Sequence, residues 1–136
     1  MKAQTIETIV ASLPNGFEDC VIHALHLEVA SRSAYLDIAV ITKRNWGATS
    51  DLRLGRLSAT NVHVLFVEPP DALAHFLLEG RGLTASGDLE LNGMNDRIEK
   101  IISRVPPGAE IVRFFLEDWN SFLYLAADSY KFSWQD

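Results

Sequence analysis

Apolar and polar positions alternate along most of this chain, and the period of the alternation marks out its elements. Ile6, Ile9, Val10 and Leu13 recur at i, i+3, i+4 and i+7, one stripe of a short amphipathic helix. Pro14 disfavours helical angles at Leu13 and ends it. From Asp19 to Val29 the period falls to two. Val21, His23, Leu25, Leu27 and Val29 share the expected core face, and Ile22, Ala24, His26 and Glu28 share the other. Ser31-Arg32-Ser33 is a polar break before a second strand, Tyr35 to Thr42, with Leu36, Ile38 and Val40 on one side. The short link predicts an antiparallel hairpin. Leu52 to Glu68 reads as two strands, or as one strand bent at a bulge near Gly55 to Asn61. Pro69-Pro70 stops the pairing.

Asp71 is placed to cap a short helix through His75 to Glu79. Arg81 to Asp88 reads as loop, and Leu89 to Leu91 as a small edge strand. Asp96 and Glu99 form a variant capping box ahead of the stripe Ile98, Ile101, Ile102 and Val105. Glu110 to Trp134 is the densest stretch in large apolar side chains. It predicts two strands around a tight turn at Glu117 to Asn120, and a third after Asp128-Ser129. The first two are apolar on both faces and need covering layers. The third, Tyr130 to Trp134, is one-sided like a solvated edge. The fold class expected is α+β: a single curved, mostly antiparallel sheet of about six to seven strands, barrel-like in the limit. An N-terminal helix and two short helices pack on it.

At 136 residues, with no internal repeat or linker, the chain reads as a single domain, residues 1–136. Its net charge of -6 argues against nucleic acid, which needs a basic footprint. A single cysteine, Cys20, excludes an internal disulfide and a multi-cysteine zinc site. Polar residues interrupt the N-terminal stretch and no apolar run spans a bilayer. The expected location is cytoplasmic, with no membrane contact.

No nucleophile elbow, phosphate loop, dinucleotide fingerprint or metal-binding helix is present. No catalytic residue, metal or cofactor is therefore assigned. His23 and His26 fall on opposite faces of one strand and do not chelate one ion; His63 and His75 belong to no motif. The candidate binding residues stand at segment ends: Asp19 opens the first strand, Glu68 closes the central one, and Asp118, Trp119 and Asn120 occupy the C-terminal hairpin turn. If those ends converge they make an acidic rim flanked by aromatics. The competing reading is that each caps local backbone.

Three stretches, LPNGFED at Leu13–Asp19, VEPPD at Val67–Asp71 and RFFLEDWNSFLYLAA at Arg113–Ala127, together resemble a family of small bacterial proteins with no assigned activity. The family pattern is a Leu-Pro-x-Gly-Phe-x-Asp entry, a Glu-Pro-Pro after a central strand and an Asp-Trp-Asn-Ser-Phe hairpin. The likeness covers both ends of the chain rather than its middle, and Glu18 stands where the family often has His. It implies a shared fold rather than a reaction.

Three functions remain open. The favoured one is a non-enzymatic interaction module, an immunity-type or adaptor protein of a bacterial cell whose acidic surface steers a protein partner. The others are a small-ligand-binding domain and an enzyme using the strand-end carboxylates. A homodimer through the C-terminal edge strand is a further expectation.

Overall fold

A computed structural model describes residues 5–43, 51–70 and 82–135. Six antiparallel strands close into a barrel: β1 (Cys20–Glu28), β2 (Ser33–Lys43), β3 (Asp51–Val67), β4 (Leu83–Asp88), β5 (Glu110–Leu116) and β6 (Ser121–Trp134). Their order around the wall is β1-β2-β3-β6-β5-β4, and β4 returns to β1. Among the described residues the two α-helices are α1 (Ile6–Ser12) and α2 (Asp96–Ile102). The expected short helix at His75 to Glu79 lies outside the described residues, as do residues 44–50, whose Asn45, Trp46 and Gly47 read as an exposed loop.

Alternation built this wall. Leu36, Ile38 and Val40 on β2 and Val112, Phe114 and Leu116 on β5 point inward and are essentially inaccessible. α1 starts at Thr5, whose side chain accepts from the Thr8 amide. Its stripe, Ile6, Ile9 and Leu13, joins the barrel core together with Phe17. The Ile6 amide donates to Glu110 Oε2 at 3.1 Å, tying the helix to the start of β5. Phe17 then stands 5.5 Å from Phe114 and 6.4 Å from Phe132, ring centre to ring centre.

Several expectations change. The first strand does not keep its faces: its register against β2 shifts between Ile22 and Ala24, so Cys20 and Ile22 point inward on one side of the bulge. Beyond it Leu25 and Leu27 lie opposite Leu36 and Ala34. His23 is exposed rather than a core residue. Leu52 to Glu68 resolves into one strand, bent where the register against β6 shifts between Val62 and Val64, just past the left-handed Asn61. Residues read as loop form β4, because its small side chains admit close packing: a Cβ on Gly87 would stand 2.7 Å from Phe114 and 2.8 Å from Phe17. Leu89 to Leu91 is not a strand. α2 is capped one residue earlier than expected, by Asn95 Oδ1 accepting from the Ile98 amide at 2.9 Å. No turn interrupts the C-terminal stretch at Asp128-Ser129, since Thr60 of β3 pairs with Ser129 and carries β6 straight through.

Candidate functional site

The strand-end residues fall around one element, β4, and the start of β6. Asp19, left-handed at φ 51°, donates its amide to Ser86 Oγ at 3.1 Å. Asp118 Oδ2 accepts the Thr84 amide at 3.0 Å. Glu68 Oε1 accepts the Phe122 amide at 3.0 Å, and the Glu68 amide donates to the Phe122 carbonyl. Trp119 folds into the core from a 3-10 turn that Asn120 ends in a left-handed conformation. Asp19 and Asp118 thus touch β4 two residues apart, while Glu68 belongs to the start of β6. The carboxylates of Glu68 and Asp118 each hold a main-chain amide.

Three constellations were less visible in sequence. The first lies on the β1–β2 hairpin. Leu25, Leu27 and Val29 are 40, 44 and 76% exposed, a row of large apolar side chains that runs from the end of β1 into the turn after it. Among the described residues, β1 pairs with β4 only over Cys20–Ile22, so past the bulge its ladder runs along β2 alone. His26 stacks on Tyr35 on the outer face, with ring centres 4.8 Å apart. Arg56 covers Tyr35 at 3.9 Å and grips Asp37 through Nε at 2.8 Å.

The second holds the tip of that hairpin. The Arg32 guanidinium donates to the Val62 carbonyl at 3.3 Å and to His63 Nδ1 at 3.2 Å. His63 Nε2 meets Asp128 Oδ1 at 2.7 Å, and Asn61 donates to the other Asp128 oxygen. Arginine only donates, so Nδ1 accepts and the imidazole proton sits on Nε2, facing the carboxylate. The contacts of His63 and Asn61 hold the Asp128 carboxyl below its usual range. The Val62 amide also donates to the Arg32 carbonyl at 2.8 Å. One polar chain therefore joins the β1–β2 turn, the β3 bulge and β6. His63, which no motif singled out, is its centre.

The third is a shallow groove of about 400 Å³ outside β4, β5 and β6, lined by Glu18, Ser86, Asp88, Arg113, Phe115 and Phe122. Arg113 is 8% exposed. Its guanidinium donates to the Asn92 carbonyl at 2.7 Å and the Glu90 carbonyl at 3.1 Å, and lies 4.5 Å from the centre of the Phe122 ring. Phe115 tilts against Phe122 at 5.2 Å. The alternation of β5 placed Arg113 and Phe115 on one face; a lone arginine in so apolar a strand was the available signal.

Cys20 is buried, with Sγ 3.3 Å from the Ala85 carbonyl. Burial, then the carboxylates of Asp19 and Glu117, push its thiol up to about 12. Among the described residues no group of three metal-ligating side chains converges, and no helix is long and apolar enough to cross a membrane. No family model, curated protein or solved structure matches the chain.

Proposed function

We propose that this protein is a non-enzymatic interaction module, of the adaptor or immunity kind, acting in the bacterial cytoplasm through the Leu25–Leu27–Val29 row. The observation that carries the reading is the exposure of that row. Three large apolar side chains run from the end of β1 into a hairpin turn that is pinned to the barrel by Arg32, His63 and Asp128. An apolar surface held rigidly is suited to a partner, since little ordering entropy remains to be lost on docking. The net charge of -6 favours a partner with basic flanks. The engagement of Glu68 and Asp118 with backbone amides supports this reading over acid–base catalysis at the strand ends.

The test is site-specific photocrosslinking in bacterial cells from position 27, with Lys131, exposed on β6, as the control position. The expected result is one discrete adduct from position 27 and none from 131. Leu27→Glu should abolish the wild-type complex while leaving stability within about 0.5 kcal/mol, as for other surface substitutions. Adducts of equal yield from both positions, or a complex indifferent to Leu27→Glu, would sink the proposal. If the adduct is a second copy of this chain, sedimentation will show a dimer that Leu27→Glu dissociates. A dimer through Tyr130 to Trp134 would persist in that variant; residues 128–134 have β3 along one side and no second ladder partner among the described residues.

A further inference from the structure

The groove on β4, β5 and β6 is separate from the β1 row, and its chemistry is of a different kind. Among the described residues its one cation, Arg113, is buried. A buried charge is ordinarily matched by an opposite charge or a full set of hydrogen bonds. Arg113 has two carbonyl dipoles and one aromatic face, and no carboxylate among the described residues lies within ion-pair distance of it. A guanidinium carries five N–H donors in a plane. Two of its nitrogens hold carbonyls, so donors remain on a side chain that lines the groove.

The rim has the opposite sign. Glu18 and Asp88 are exposed and acceptor-only. Asp88 Oδ1 takes the Glu90 amide at 2.9 Å, leaving Oδ2 for another donor. On the ladder Asp88 stands opposite Arg113, and beside that pair Ser86, Phe115 and Phe122 form one cross-strand row that lines the same groove. A purely anionic guest would meet two carboxylates, and a purely cationic one would meet Arg113. A guest bearing both charges satisfies each wall, and its apolar body covers the rings. The volume, about 400 Å³, is at the small end of ligand pockets.

We infer that this groove binds a small amphoteric molecule with an apolar body, of the class of a free hydrophobic amino acid. Its carboxylate is received by Arg113, its ammonium by Glu18 and Asp88, and its side chain by Phe115 and Phe122. Carboxylate recognition by a planar guanidinium gives paired, charge-assisted hydrogen bonds.

Titration calorimetry of the full chain tests this with L-phenylalanine and L-leucine, and with the two capped forms N-acetylphenylalanine and phenylalaninamide. The free amino acids should bind, and each capped form should bind at least tenfold more weakly, since each lacks one charge. Glu18→Gln, at an exposed position, should weaken phenylalanine at least threefold without weakening N-acetylphenylalanine. Arg113→Lys retains a charge but loses the planar fork, and should weaken phenylalanine and leave phenylalaninamide unchanged. Absence of binding by both free amino acids at about 10 mM, weaker than any specific site of this kind, overturns the assignment. So does phenylalaninamide or N-acetylphenylalanine binding as tightly as phenylalanine. These outcomes are independent of any complex formed at Leu27.

Discussion

Two side chains define what single residues do here. Cys20 is a thiol without chemistry: it is buried against the Ala85 carbonyl and held protonated, up to about 12. Under native conditions at pH 8 it should resist a thiol reagent such as Ellman's, and react fully once denaturant opens the barrel. Prompt native-state reaction would show that β1 and β4 part readily. Asp128 is the reverse case, an exposed group held in its charged form by His63 and Asn61. Its folded value lies below the ordinary 3.8, so the unfolded chain binds the proton first as pH falls. The stability it contributes is complete above 3.8 and disappears as pH drops through the folded value. Denaturant melts of wild type and Asp128→Asn should therefore differ by a constant amount near neutrality and converge in strong acid. Neither role was fully legible in sequence. Cys20 stands beside Asp19 in sequence, and a neighbouring carboxylate raises a thiol, but burial, the larger cause, needs the fold. His63 and Asp128 are 65 positions apart and met only because a bulge in β3 turned one toward the other.

Elements obeyed their patterns where both neighbours agreed with them. β2 kept Leu36, Ile38 and Val40 inside because it is paired along its whole length, by β1 and β3. β1 read wrongly at its start, where Cys20 and Ile22 face inward rather than Val21 and His23; past the bulge Leu25 and Leu27 share the face of the inward Leu36 and Ala34, and a bulge leaves no mark in the alternation itself. β4 was hidden for a different reason: apart from Thr84 its middle is Ala85, Ser86 and Gly87, small residues without the strand preference of β-branched or aromatic ones, and tertiary packing chose them for size. Gly87→Val should test that choice. Its Cβ would meet Phe114 and Phe17 inside van der Waals contact, and the substitution should cost roughly 1–3 kcal/mol in chemical melts. Gly93→Ala, where nothing lies within 4 Å, isolates the separate cost of a left-handed glycine. If Gly87→Val proved no worse than Gly93→Ala, packing would not be what holds β4 in the wall.

For the molecule as a whole, the curved antiparallel sheet was evident from the density of strands and from the two-sided C-terminal stretch. A barrel-like form was expected with it and is what the sheet adopts, but β4, the strand that completes the ring, was read as loop. α1 is part of the barrel's core rather than an appendage, with Ile9 inaccessible to solvent. Ile9→Ala should cost about 2–5 kcal/mol and lower the melting temperature of the entire domain in one transition. A separate early transition would mean that the helix detaches on its own. The candidate site divided in the same way. Asp19, Glu68, Asp118, Trp119 and Asn120 were found as turn and strand-end residues, which is how the fold uses their backbones. The apolar row and the groove needed register and burial to appear, and periodicity carries neither.

β6 forms the ladder with both β3 and β5, and α1 rests on it as well. Among the described strands it is also the last in chain order. The longest seam of the ring is then unavailable to a nascent chain until β6 itself has been made, and its first helix waits for a docking surface made more than a hundred residues later. Partly synthesised chains would present open strand edges to their surroundings, an opportunity for chaperones and a hazard for aggregation.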